Sequence, residues 1–311
     1  MSLTWSYRAL PPGAREEAQA RAAIIKDTLT IIRDDIMPPG SPMGIDEWIE
    51  KRSRLLISAI AKAQRENAAL IDKTMDMSLM ANGWQDTAIG LLEPEAFAGQ
   101  LPNGAGLDLI PNAVARRVRE DIALGREPAV AWRNGQKLLT KIVLTSLNDS
   151  QRAARAVAGL ARPRTMYMRI ANLPCCSRCA VLAGKKGFWE KPFRRHPLCD
   201  CGQIPIPMDK DIRFEGPEFS TKSYFESLTE EEQNRIFTSA GAQAIREGAD
   251  VDQVVNARQG MKSATKGYTT AGSKWRRRHD SARYSIDLIM QVKDPKRRWA
   301  ILDNEGYVRP I

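Results

Sequence analysis

The chain is poor in histidine and in aromatic residues. Its 311 residues include two histidines, and Phe, Trp and Tyr together make up 6%. A core with so few rings must rest on Ala, Leu, Ile, Val and Met, which favours helices packed on helices over a β-sandwich. With His196 and His279 as the only imidazoles, a His-dependent nuclease or a Ser-His-Asp hydrolase would have to use His279, which stands in an arginine run. The sequence contains no G-x-x-x-x-G-K-S/T, no G-x-G-x-x-G and no G-x-S-x-G. A phosphate-cradling loop, a dinucleotide fingerprint and a nucleophile elbow are thereby removed from consideration. No uninterrupted apolar run approaches about 18 residues, so no membrane span is predicted. Met1 to Pro12 lacks an apolar signal-peptide core, and the expectation is a protein made and kept in cytoplasm. Cysteine is missing everywhere except between Cys175 and Cys201. A secreted disulfide framework would scatter cysteines along the chain; clustered in a reducing compartment, they read as metal ligands.

What is present is ordinary for a folded protein, with 43% hydrophobic and 27% charged residues. The length suffices for two or three domains. The formal charge of +10 suits a polyanionic neighbour, either nucleic acid or an acidic protein surface, and equally a merely solvated basic surface.

The apolar periodicity predicts a mainly α protein. Ala18, Ala22, Ile25, Leu29 and Ile32 recur at spacings of three and four and predict a helix over 14–36. Met37-Pro38-Pro39-Gly40-Ser41-Pro42 ends it, because proline cannot continue a helix. A longer helix is expected over Ile45 to Met80, with Leu56, Ile60, Ala63, Leu70 and Ile71 as its stripe and Asn82-Gly83 as its stop. Met75, Met77 and Met80 read as packing, not as ligands. Gly90 to Pro111 reads as a loop or linker, followed by helices near 112–124 and 128–160. Thr165 to Ile170 alternates and predicts a short strand. Thr229 with Glu232 fits a capping box, Asp250 is placed to cap a helix over Val251 to Arg258, and two short helices are expected near 281–292 and 294–303.

The chemistry sits in Cys175-Cys176-Ser177-Arg178-Cys179 and His196-Pro197-Leu198-Cys199-Asp200-Cys201. Cys176 and Cys179 form a C-x-x-C that turns two thiolates toward one ion, and the second half offers His196, Cys199 and Cys201. Two soft pairs brought together make a closed, structural zinc site of four ligands, one per chain, whose binding is coupled to folding. Five candidates compete for four places, so one of His196, Cys199 and Cys201 is expected outside the first coordination shell. Cys175 reads as a small packed residue. A nucleobase deaminase is disfavoured: Pro174-Cys175 starts its P-C-x-x-C pattern, but Arg178 stands where cysteine is required, and no histidine precedes residue 196 to supply H-x-E.

Leu173-Pro174-Cys175-Cys176-Ser177-Arg178-Cys179-Ala180-Val181-Leu182-Ala183-Gly184, followed by Phe193-Arg194-Arg195-His196-Pro197-Leu198-Cys199-Asp200-Cys201, resembles the zinc segment of the Mu F-like (MuF) minor capsid, or head-morphogenesis, proteins of tailed phages, in which C-x-x-C-x-x-L-x-G precedes H-P-x-C-x-C. The stretch from Ala240 to Met261 and the one from Trp299 to Val308 are similar to blocks of the actinobacterial-phage members. The resemblance covers roughly residues 165–311; Cys175 departs from it, since a small polar residue would be expected there. It implies a structural, non-enzymatic, low-copy virion protein inside the head near the portal, with portal and major capsid proteins as partners, packaged double-stranded DNA as a further contact, and neither a membrane nor a small-molecule substrate. The competing reading is a zinc-stabilised cytoplasmic protein that binds or processes DNA. The expected layout is a helical domain over 1–160, a zinc-binding MuF-like α+β core over 161–215, a helical segment over 216–261 and a basic tail over 262–311. In that tail Lys274, Trp275, Arg276, Arg277 and Arg278 are the candidate contacts. Their cations suit DNA phosphates or an acidic portal surface, and the ring suits stacking.

Overall fold

The computed structural model describes residues 10, 12–40, 43–85, 87–101, 103–191, 199, 201–209, 220–259, 268–269 and 283–308. The fold is mainly helical with few strands. The chain divides into two compact units: Ser6–Arg169 with Lys185–Gly216, and Met1–Trp5 with Ile170–Gly184 and Pro217–Ile311. We call them the bundle unit and the short-helix unit.

The bundle unit is built from α1 (Pro12–Ile31, continued as a π-turn over Ile32–Ile36), α2 (Ile45–Ala69), α3 (Ile71–Ala81), α4 (Leu109–Ala123) and α5 (Pro128–Leu160). Its main core joins Ile32, Leu56, Ile60, Val114, Leu139, Val143 and Leu147, with Trp48 and Trp132 among them. Ile32, Leu56 and Ile60 are positions of the predicted stripes. The proline turn after α1 is pinned from two sides. Trp48 Nε1 donates to the Ile36 carbonyl (2.8 Å), Trp132 Nε1 to Pro38 (2.9 Å) and Gln136 Nε2 to Met37 (2.6 Å). Carbonyls that a helix end leaves without partners are thereby satisfied by side chains of α2 and α5.

The structure interrupts the single helix expected over Ile45 to Met80 at Leu70, which keeps right-handed helical angles (φ −77°, ψ −23°). The Thr74 hydroxyl shares the Leu70 carbonyl (2.8 Å) with Thr74's own amide (3.1 Å), the back-bonding that bends helices. The segment expected as a linker between α3 and α4 is tied down. A 3-10 turn covers Pro94–Phe97, and the fully buried Gln64 accepts from the Gly99 amide and donates to the Gln100 carbonyl and to Ser146 Oγ.

A small sheet in the order β2-β1-β3 completes this unit, from β1 (Thr165–Ile170), β2 (Lys186–Gly187) and β3 (Gly202–Pro207). Arg162, wholly buried just past the end of α5, reaches Asp72 and Asp76 of α3, and its carbonyl accepts from the Thr165 amide at the start of β1 (3.0 Å). Trp189 lies flat on Gly159, where a Cβ would come within 2.1 Å of the ring. Its Nε1 donates to Thr165 Oγ1 (3.0 Å). Inside the bundle runs a polar seam. The buried Glu17 pairs with buried Arg155 and accepts from Thr74 Oγ1 (2.9 Å) and Gln151 Nε2. Burial pulls Arg155 down to about 9.

The short-helix unit contains α6 (Ser177–Leu182), α7 (Thr221–Glu226), α8 (Glu230–Phe237), α9 (Ser239–Arg246), α10 (Val251–Gln259), the pairing of β4 (Tyr268–Thr269) with β5 (Arg283–Tyr284), α11 (Ile286–Ile289) and α12 (Pro295–Asn304). The Thr229–Glu232 capping box is formed in both directions, and Asp250 accepts from the Gln253 amide (2.9 Å). Thr238, at φ 68°, separates α8 from α9 while its hydroxyl accepts from the Gly241 amide. Arg298 holds Glu247 through two bonds (2.6 and 2.5 Å). Burial opposes the Glu247 carboxylate, but the Arg298 guanidinium and the Gln243 amide outweigh it and keep Glu247 below the usual carboxylate range. No helix among the described residues is long and apolar enough to cross a membrane.

Candidate metal centre

The first ligand arm is a knuckle at the start of α6. Cys176 is the N-cap of that helix, in extended conformation, and its sulfur accepts the Cys179 amide at 3.4 Å. The C-x-x-C spacing has this physical basis: three residues return the chain by one helical turn, so a backbone N–H faces the first sulfur while the second sulfur starts the next turn. The preceding residue is clamped from α7. Tyr224 Oη accepts the Cys175 amide (2.9 Å) and donates to the Cys175 carbonyl (2.8 Å). Burial raises the Tyr224 phenol well above its usual range, with the neighbouring Cys175 adding to the effect, so the hydroxyl stays a donor.

The second arm leads into β3. Cys199 and Cys201 are both buried, and α5 holds their backbones. Arg152 Nε donates to the Cys201 carbonyl (3.0 Å) and Arg152 Nη2 to the Cys199 carbonyl. Asp149 accepts from Arg152 Nη1 at 3.1 Å. The Asn148 amide lies 3.5 Å from the same Cys199 carbonyl, and Asn148 Oδ1 accepts from the buried Arg21.

The sulfurs of Cys179, Cys199 and Cys201 all lie within 4.8 Å of one another, and all three residues are buried. A tetrahedral thiolate site with metal–sulfur bonds of about 2.3 Å separates its sulfurs by about 3.8 Å, so the trio is close to a ligand arrangement. Three soft donors suit zinc and other thiophilic ions over calcium or magnesium, which take oxygen. No disulfide joins the five cysteines.

The chain matches no family model, no curated protein and no solved structure.

Of the ligands expected from the sequence, then, Cys179, Cys199 and Cys201 are brought together. Cys176 is half-buried at the knuckle and outside that trio. His196 lies outside the described residues, as do Lys274, Trp275, Arg276, Arg277 and Arg278. Cys175 is buried, in keeping with its reading as a packed residue. Sequence reasoning passed over Arg152, Asn148 and Tyr224. A signal for the first two was present. Asn148, Asp149 and Arg152 follow the apolar stripe of α5 beyond Leu147, where the helical period presents polar groups to a buried face. Tyr224 had no such signal, because an isolated tyrosine between Ser223 and Phe225 looks like any half-apolar residue.

Proposed function

We propose that this chain is a structural, non-enzymatic minor capsid or head-morphogenesis protein of a tailed phage, carrying one structural zinc per chain. The observation that carries the zinc half is the buried sulfur trio of Cys179, Cys199 and Cys201, set in C-x-x-C and C-x-C spacings. We take Cys176 as the fourth ligand: its sulfur already accepts an amide N–H, as thiolates in such knuckles do, and with both Cys199 and Cys201 in the trio His196 is the member left over. Four protein ligands leave no open position for water or substrate. Such a site holds the chain together rather than activating a reactant. The capsid half rests on the resemblance of the zinc segment and of the two C-terminal stretches to MuF-like proteins. In this reading the protein is made in host cytoplasm, sits at low copy inside the head near the portal, and uses its basic tail against an acidic portal surface and packaged DNA.

Two measurements test the two halves separately. Elemental analysis of protein purified under reducing conditions should give about one zinc per chain, and its absence overturns the metal. Cobalt-substituted protein should show the absorption of an all-sulfur site, shifted if His196 replaces Cys176. For the capsid half, purified particles should contain this chain together with portal and major capsid proteins; particles that form normally and never contain it overturn that reading.

A further inference from the structure

Each ligand arm is held by a side chain that belongs to no ligand. On one arm a single guanidinium takes two carbonyls two residues apart, those of Cys199 and Cys201, while a third N–H is fixed by Asp149. Holding the carbonyl of a residue restrains the peptide plane that follows it and so limits the directions its Cα–Cβ bond can take. One planar fork therefore aims two sulfurs at once, which a lysine ammonium could not do with the same geometry. On the other arm the Tyr224 hydroxyl takes both the amide and the carbonyl of Cys175. The peptide plane entering Cys176 is thereby fixed before any ion arrives. Both holders are largely withdrawn from water: Tyr224 is 4% exposed and the Arg152 side chain 13%.

We infer that Arg152 and Tyr224 are positioning residues of the metal centre, each presetting the backbone of one ligand arm within its own unit before the ion binds. The inference rests on the metal reading above and extends it to two residues that touch no metal. Groups that orient metal ligands typically change affinity about 10–100-fold when removed. The ion should therefore leave Arg152→Met and Tyr224→Phe faster by about that factor. Arg152→Lys, which keeps the charge and loses the fork, should resemble Arg152→Met rather than the parent.

The test uses the full chain loaded with zinc, at one fixed pH under reducing conditions, and follows release to a colorimetric chelator alongside thermal melting. Arg155→Lys serves as the control, since Arg155 lies one helical turn beyond Arg152 and pairs with Glu17 instead of the ligand arm. It should lower the melting temperature and leave the release rate unchanged. Faster release from the Arg152 and Tyr224 variants, with cobalt spectra broadened or shifted, supports the inference. If those variants melt earlier yet release zinc at the parental rate, the inference fails while the metal reading stands. If the parent chain takes up no zinc or cobalt, both fail.

Discussion

The two units solve the same problem of stability by different means. In the bundle unit the helices are long, with α2 at 25 residues and α5 at 33, and they share a core that includes Trp48, Leu56, Ile60, Leu139 and Val143. In the short-helix unit α6 has 6 residues, α11 has 4 and α12 has 10. Isolated helices shorter than about 12–15 residues are marginal in water, so these depend on caps, on specific ion pairs such as Arg298–Glu247, and on buried anchors such as Tyr307, whose hydroxyl donates to the Tyr284 carbonyl (2.7 Å). Large apolar faces make a fold tolerant of local loss. A fold assembled from caps and clamps has many weak points, each open to a single substitution.

That contrast can be broken most directly at the proposed metal centre. Chelation, or Cys179→Ser, should unfold the segment 170–207 and leave the helices of the bundle unit folded. Hydrogen exchange resolved along the sequence checks this, and loss of protection throughout α2 and α5 would contradict the independence of the bundle core.

The next largest effect belongs to the polar seam of the bundle. Glu17→Ala strands the buried Arg155 and should cost about 3–5 kcal/mol, whereas replacing the pair by Leu and Met together should be near neutral or stabilising. Chemical denaturation of the single and paired variants distinguishes the two outcomes. A paired replacement as damaging as Glu17→Ala would mean that the ion pair itself supports the bundle.

Smaller losses sharpen the description of the other unit. Thr229→Ala removes a formed capping box and should cost about 1 kcal/mol, read as earlier loss of exchange protection in α8 while the α2 amides are unchanged. The smallest effect is acid sensitivity at Glu247. Its folded pKa is depressed, so its contribution is present above the unfolded carboxylate value of about 4.3 and is lost as pH falls through the folded value. Being partly exposed, the pair should contribute under about 1 kcal/mol. Arg298→Ala should remove this pH dependence below the unfolded carboxylate value of about 4.3, measured by the denaturation midpoint.

Much of this molecule was open to local reading. The helical stripes, the strand at Thr165–Ile170, the helix over 128–160 and the Thr229–Glu232 cap all depend on residues within a few positions of one another, where periodicity and capping chemistry act. The break at Leu70 escaped that reading because a threonine hydroxyl competing for a carbonyl leaves the apolar period intact. The segment between α3 and α4 escaped it because its order comes from Gln64, which is distant in the chain. At the candidate metal centre the thiol pattern pointed to the cysteines that converge, while Tyr224 was silent: it meets Cys175 across 49 residues.

The sequence by itself determined that the protein is mainly helical, that its thiols are clustered in one stretch of the chain, and where most helices start and stop, because these follow from period, spacing and local hydrogen bonding. Only the tertiary structure decided which sulfurs converge, how the proline turn after α1 finds donors, and which side chains hold the ligand backbones. Those outcomes depend on groups far apart along the chain arriving at hydrogen-bond distance, and no local pattern specifies that arrival.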